Sequence, residues 1–150
     1  MFNLKTTPQI RELPPQDTTG LQMTEIPMTC WDRQKVRRRL KAPDGVELLL
    51  ALPTGTVLQP GTVLDIQKGR AYQVVAALEE VLVYQPENLT EAMKFAHFIG
   101  NQHRDIDFTP EGILVLSDVG LEARLKKLGF QVFADHRPYS ARPISEYAHG

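Results

Sequence analysis

The sequence contains very little cysteine, almost no net charge and no long apolar run. Cys30 is the only cysteine among 150 residues, so the chain can form no internal disulfide, no zinc finger and no Cys-x-x-Cys redox site. A formal net charge of -1 creates no global field toward nucleic acid or an anionic membrane. No apolar run approaches the about 18–20 residues that cross a bilayer, and residues 1–15 do not resemble a signal peptide. We therefore expect a cytoplasmic protein with no nucleic-acid partner and no membrane partner.

Recognisable catalytic motifs are absent as well. No Ser-His-Asp or Cys-His set can be identified by its spacing, and there is neither a glycine-rich phosphate loop nor a His-Glu-x-x-His helix. The content of 42% hydrophobic and 23% charged residues is typical of a folded globular protein. The sequence therefore predicts a folded protein that is not an enzyme.

The N-terminal half shows the pattern of a β-rich domain. Residues 1–20 contain three prolines and a glycine and are interpreted as a loose leader. Within residues 21–70, short apolar or alternating runs are separated by turns rich in proline and glycine, at residues 43–45, 53–55 and 59–61. Short strands at this spacing predict a compact β-barrel or sandwich.

Residues 71–135 combine strands with helical segments. Asn88 or Thr90 can cap a helix over residues 89–99, with Gly100 expected at the position after the C-cap. A second helix, capped by Ser117 or Asp118, is expected before a last strand. The order β-α-β-β-α-β predicts a ferredoxin-like domain, which makes the chain an α+β protein. The domain boundary is expected at residues 69–71, and residues 136–150 are interpreted as a flexible tail.

The histidines are the best candidates for chemistry. His103 follows the end of the first predicted helix, where an imidazole can be presented to solvent or to a partner chain. His97 lies earlier in that helix, and His149 lies in the predicted tail, from which it could reach a metal held elsewhere. From the local sequence alone, each of these positions more often holds an exposed or packed histidine that has no ligand role.

A second candidate is basic. Cationic residues occupy alternate positions of residues 33–41, so on a strand they share one face. Such a face can dock nucleic acid or protein, or it can discourage edge-to-edge pairing of sheets. Trp31 is the only aromatic residue nearby, which disfavours a site for single-stranded nucleic acid. The cationic residues are Arg33, Lys35, Arg37, Arg39 and Lys41.

Several short segments, each occurring once and in a defined order along the chain, together carry a resemblance to a known family. They are Trp31-Asp32-Arg33-Gln34-Lys35-Val36-Arg37, Asp44-Gly45, Leu52-Pro53-Thr54-Gly55, Leu58-Gln59-Pro60-Gly61, Gly100-Asn101-Gln102-His103, Asp118 followed by Leu121, residues 125–129, and Tyr147-Ala148-His149.

In this order, the segments resemble the urease accessory metallochaperone family UreE, which carries nickel to the urease active site. The resemblance implies a β-rich domain for partner interaction, a ferredoxin-like metal-binding domain, and a homodimer in which the motif histidine of both chains binds one nickel ion. That role falls on His103, and His149 and His97 are the further candidate ligands. Zinc or copper could also bind, since imidazole suits all three metals. The implied partners are the urease apoprotein and its other accessory proteins, including a GTPase.

The chain departs from the family pattern at four places. Phe98 occupies a position that is often histidine, Val119 follows Asp118 where histidine is frequent, and Thr54 replaces an arginine. The tail carries a single histidine, His149. These differences predict a reduced capacity for secondary metal binding. Two alternative functions stay open: a metal-independent interaction module of the same fold, and nucleic-acid binding through the strand from Arg33 to Lys41.

Overall fold

A computed structural model describes residues 7–141 and shows two compact units, Met1–Ala76 and Ala77–Gly150. The domain boundary therefore follows Ala76, whereas the sequence pattern placed it at residues 69–71. The prediction failed because two β-rich runs follow each other without a strong turn signal. The first run pairs with strands of the N-terminal unit and the second with strands of the C-terminal unit. Within residues 7–141, no helix is long and apolar enough to span a membrane.

The N-terminal unit consists of two three-stranded sheets, with the strand orders β1-β4-β3 and β2-β6-β5. Each sheet contains one parallel pair, β1 with β4 and β2 with β6, beside an antiparallel pair. The strands are β1 (Gln9–Ile10), β2 (Gln22–Met28), β3 (Arg37–Lys41), β4 (Glu47–Ala51), β5 (Val63–Gln67) and β6 (Arg70–Ala76).

A single apolar core joins the two sheets. Leu40 and Leu50 of one sheet belong to the same buried cluster as Met28, Leu64 and Val74 of the other. Because buried residues alternate with more exposed ones along β2 and β4, each sheet buries one face only. The sequence left a barrel and a sandwich open, and the unit is a sandwich. The prediction of a β-rich N-terminal domain is confirmed.

The predicted loose leader is part of this unit from residue 9 onward. Strand β1 pairs with β4, so that Gln9 lies opposite Leu49. The amide of Gln16 brackets the main chain of Val63, accepting from its N–H at 2.8 Å and donating to its carbonyl at 3.1 Å. The prediction of a leader over residues 1–20 was therefore wrong for these residues, because pairing with distant strands leaves no local pattern.

The C-terminal unit has the predicted ferredoxin-like order and a four-stranded antiparallel sheet, β10-β7-β9-β8. Both helices pack on one face of this sheet, since their buried side chains share a cluster with residues of a single sheet face. The elements are β7 (Leu78–Tyr84), α1 (Leu89–Asn101), β8 (Asp107–Thr109), β9 (Gly112–Leu116), α2 (Leu121–Lys127) and β10 (Val132–Pro138).

Aromatic rings organise the core beneath α1. The rings of Tyr84 and Phe95 are stacked with centroids 4.4 Å apart, and Phe130 meets Phe95 edge-on at 5.3 Å. Phe95 and Ile99 are fully buried, four residues apart on one helical face. This packing fixes the orientation of α1, and with it the position of the residues that follow the helix.

Strand β10 extends to Pro138, past residue 136, where the flexible tail was predicted to begin. Its last residue, Pro138, pairs with Leu78, and Tyr139 beyond it is buried. Ser140 donates from its backbone N–H to the Asp107 carboxylate at 3.0 Å. The predicted flexible tail over residues 136–150 was thus wrong for its first residues. An edge strand tolerates polar residues and a terminal proline, so its apolar alternation is weak.

Candidate metal site

Helix α1 carries His97 and leads into the turn with His103, and it begins at the predicted residue. The side chain of Asn88 accepts a hydrogen bond from the backbone N–H of Glu91 at 2.9 Å. The end of the helix differs from the prediction. The helix continues past Gly100 through Asn101, and Gln102 is the C-cap. His103, rather than Gly100, occupies the position after the C-cap.

His103 adopts a left-handed backbone conformation with φ of 55°. Glycine usually fills this position, because a Cβ makes the conformation unfavourable by about 1–2 kcal/mol. The backbone N–H of His103 donates to the carbonyl of Gly100 at 3.0 Å, which closes the end of the helix. A positive φ at a residue other than glycine makes His103 a candidate functional position.

The residues around His103 are each attached to another part of the unit. We refer to residues 102–105 as the His103 turn. Arg124 of α2 donates to the Gln102 side-chain carbonyl at 3.0 Å, and Arg104 forms an ion pair with Asp118. The hydroxyl of Tyr139 donates to the carbonyl of Asp105 at 3.0 Å. The neighbours are thus fixed, while the His103 side chain is exposed.

His97 is exposed on α1, and its ring lies beside the amide of Asn101. The distance between Nε2 of His97 and Nδ2 of Asn101 is 3.3 Å. If the amide donates, Nε2 is the unprotonated nitrogen and is occupied by this contact. A rotated amide would accept from a protonated Nε2 and leave Nδ1 available to a metal. His97 is therefore suited to a secondary ligand role after this rearrangement.

The third candidate ligand, His149, lies outside the described residues. Within residues 7–141, no group of three or more histidine, cysteine or carboxylate side chains could hold a metal ion. The two candidate histidines that the structure describes are neighbours in the chain: His97 lies on α1, and His103 lies in the turn that follows this helix.

The basic pattern does not form the single face that the sequence predicted. The strand begins only at Arg37, and Arg33 lies in a 3₁₀ turn, Asp32–Gln34, where it is buried. Its guanidinium donates to the carbonyl of Met28 at 2.8 Å. Arg39 is exposed on β3 and forms an ion pair with Glu47 at 3.3 Å. The prediction of a continuous cationic strand from residue 33 to residue 41 was therefore wrong, because Arg33 is buried and bonded within the 3₁₀ turn.

Sequence patterns missed the residues that surround the His103 turn. Asp118 was expected to cap α2, but the N-cap is Gly120 with φ of 88° and no side-chain cap. The Asp118 carboxylate instead contacts Arg104, fourteen residues away. Arg124 reaches Gln102 across twenty-two residues. Local propensity carries no signal for such contacts, although Asp118 belongs to the segments that carry the family resemblance.

A β-sandwich domain followed by a ferredoxin-like domain with an exposed histidine turn defines a two-domain α+β protein. Residues 5–77 match the family described as UreE urease accessory protein, N-terminal domain, and residues 79–150 match its C-terminal domain. The chain belongs to the UreE family of urease accessory proteins, as the resemblance predicted.

Individual relatives support this assignment over most of the chain. A urease accessory protein UreE from Synechococcus sp. (strain JA-3-3Ab) is 51% identical over 130 residues, 87% of each chain. The protein of the same name from Deinococcus radiodurans is 46% identical over 137 residues, 91% of this chain and 88% of the relative. One from Microcystis aeruginosa is 30% identical over 142 residues, 91% of this chain and 89% of the relative. Since the relatives are named as accessory proteins, the prediction that the chain is not an enzyme is confirmed.

Proposed function

We propose that this protein is a metallochaperone that binds nickel and delivers it during assembly of the urease active site. The observation that carries the proposal is the presentation of His103, an exposed imidazole on a left-handed turn whose neighbours are fixed. A carrier must release its ion, so an exposed site with few ligands suits it better than a closed structural site. The family name, urease accessory protein, supports the destination of the ion.

A homodimer would complete the site. One histidine is a weak chelator, whereas a two-fold axis near His103 brings two imidazoles to one ion. Helix α1 offers a surface for such an association. Leu89 and Met93 are 75% and 57% exposed and precede His97 at intervals of four residues, so the three lie along one face. Exposed apolar side chains beside a candidate ligand are typical of an interface between copies.

His149 is proposed as a further ligand from the C-terminal tail. The Tyr139–Asp105 hydrogen bond attaches the chain two residues from His103. Seven residues lie between Ala141 and His149, so an extended chain can span at most about 29 Å between them. A tail histidine attached this close has a high effective concentration at the ion.

Nickel is proposed as the cargo because of the urease partner. Imidazole nitrogens accept nickel, zinc and copper alike, so the candidate ligands themselves do not select among these metals. The proposed recipients are the urease apoprotein and its other accessory proteins, including a GTPase, with no nucleic acid involved. The cytoplasmic location stays a prediction from composition.

Calorimetric titration of nickel into three proteins tests the proposal. We expect the wild-type protein to bind one ion per two chains, and His103→Ala to lose that binding. His136→Ala is the matched control, because His136 is an exposed histidine of the same unit on β10. Activation of urease apoprotein by the loaded protein should follow the same order. Equal binding by wild type and His103→Ala would contradict the site.

A metal-independent interaction module is the alternative that one observation favours. Trp31 is 68% exposed in the N-terminal unit, and exposed tryptophan is enriched at the centres of protein interfaces. Under this alternative, His103→Ala would retain both dimerisation and activation of urease. Trp31→Ala would lose activation of urease while retaining dimerisation.

A further inference from the structure

The two side chains that flank His103 both contact the segment of α2. On one side, Arg124 of α2 donates to Gln102, and its guanidinium also lies over the ring of Phe98, 5.8 Å from the centroid. On the other side, Arg104 forms an ion pair with Asp118, shortly before α2 begins. We call these two interactions the flanking contacts. They secure the His103 turn immediately before and immediately after the histidine.

We propose that Asp118 and Arg124 are positioning residues, which hold His103 in its metal-binding geometry through the flanking contacts. This inference rests on the proposed nickel function. The left-handed conformation of His103 is unfavourable for a residue with a Cβ, so an unrestrained turn would relax toward other conformations. Only the fraction of molecules in the competent conformation binds the ion, and the apparent affinity falls with that fraction.

The flanking contacts also arrange charge near the site. Arg104 and Arg124 place two guanidinium groups beside a histidine that is proposed to bind a cation. Asp118 neutralises Arg104, and Arg124 is engaged by Gln102 and by the face of Phe98. Loss of the Asp118 carboxylate would free the cationic side chain of Arg104 next to the ion, whereas loss of the Arg124 side chain acts through relaxation of the turn alone. Relaxation of the turn lowers the affinity for nickel in both cases, and the release of Arg104 lowers it further when Asp118 is lost.

The expected effect is moderate for one chain and larger for a dimer. The Arg104 and Asp118 side chains are 31% and 42% exposed, and a pair of this exposure alters an equilibrium by up to about fivefold. A site built from two copies contains each contact twice. Removing one flanking contact should therefore weaken nickel binding by between about threefold and twenty-five-fold.

Two variants remove the contacts and a third controls for charge. Asp118→Asn removes the carboxylate charge, and Arg124→Met removes the guanidinium while keeping a good helix former. Glu122→Gln breaks the Lys126–Glu122 pair, 2.7 Å long, on the same helix. It deletes the same charge as Asp118→Asn without touching the His103 turn. Asp118→Glu retains the carboxylate and should restore most of the affinity.

Nickel titration is combined with amide hydrogen exchange in the metal-free proteins. We expect weaker nickel binding and faster exchange of the His103 amide in Asp118→Asn and Arg124→Met, with no change in Glu122→Gln. Wild-type affinity in both variants, while His103→Ala binds no nickel, would overturn the positioning role and leave the proposed function intact. An equal loss in Glu122→Gln would also overturn it, because net charge would then be the cause.

The exchange measurement separates this inference from the proposed function. If the wild-type protein bound no nickel, the proposed function would fail, and with it the role of the contacts in metal binding. Exchange at His103 still measures whether the contacts restrain the turn. An unchanged exchange rate in Asp118→Asn and Arg124→Met overturns the restraint whatever the metal result.

Discussion

His103 combines two properties that seldom coincide in one residue, an exposed imidazole and a left-handed backbone. Within residues 7–141, only Lys68 shares a positive φ among the non-glycine residues. Lys68 precedes Gly69 in the tight turn between β5 and β6, where such a conformation matches the hairpin. His103 instead ends a helix, where a glycine would serve the fold better. The proposed ligand role accounts for the use of histidine at this position.

Replacing His103 by glycine should therefore stabilise the fold while removing the site. We expect His103→Gly to raise the free energy of unfolding of the C-terminal unit by about 1 kcal/mol, because glycine adopts positive φ without steric cost. Denaturant unfolding measures this change, and nickel titration measures the loss of binding. Lys68→Gly is the control, which should relieve strain in the N-terminal unit with nickel binding intact. A destabilised His103→Gly would contradict the account of the turn.

The carboxyl group of Asp44 makes the stability of the N-terminal unit depend on pH in the acidic range. The backbone N–H of Val46, followed by the hydroxyl of Tyr72 and the charge of Arg70, holds the pKa of this carboxyl below its ordinary value. A carboxyl with a lowered folded-state pKa stabilises the fold above the ordinary value of about 4, and this stabilisation disappears as the pH falls through the lowered pKa.

We accordingly expect Asp44→Asn to be less stable than wild type at neutral pH and close to it in strong acid. Urea unfolding of both proteins at about pH 7 and about pH 2.5 checks this expectation. A stability difference that is the same at both pH values would show that the charge of Asp44 is not the cause.

Helix α2 is the element that supports the His103 turn, and it is short. Seven residues form too few hydrogen bonds to be stable alone, so tertiary packing must hold it. Leu121 and Leu125 supply this packing, since both are fully buried against the core. The basic residues of its last turn, including Arg124, complement the helix dipole.

Leu125→Ala should consequently destabilise the C-terminal unit by about 2–5 kcal/mol, since it leaves a cavity beneath α2. Leu128→Ala is the matched control, because Leu128 follows the same helix and is 56% exposed. Its effect should stay within about 0.5 kcal/mol. Thermal or denaturant unfolding distinguishes the two. Equal losses would mean that burial of Leu125 does not hold the helix.

Sequence patterns predicted the elements better than the contacts between them. Helix α1 begins at the predicted residue, and the Asn88 cap was found because capping depends on residues three apart. The boundary after Ala76 and the pairing of β1 depend on distant strands, and they were missed. His103 was identified as a candidate, whereas the role of Arg124 was not. Side-chain contacts across fourteen or more residues have no local periodicity to reveal them.

The whole molecule is proposed to act as a dimer through the C-terminal unit. The exposed face of α1 carries Leu89, Met93 and His97 and leads to the His103 turn. A charge within an apolar interface is costly because it must lose water without gaining a partner. The proposed association should therefore be sensitive to a charge at the centre of this face.

We expect Met93→Glu to shift the protein toward single chains and to weaken nickel binding together with dimerisation. Phe108→Glu is the control, since Phe108 is 62% exposed in the same unit and lies on β8, outside this face. Sedimentation with and without nickel measures both proteins. A dimer that persists in Met93→Glu would place the interface elsewhere on the molecule.

Native mass spectrometry of the nickel-loaded protein tests the central claim most directly, because it counts ions and chains in the same particle. We predict one nickel ion in a particle of two chains, each of 16.9 kDa, and no such particle for His103→Ala. An ion bound to a single chain, or one retained by His103→Ala, would contradict the claim that paired His103 side chains hold the cargo.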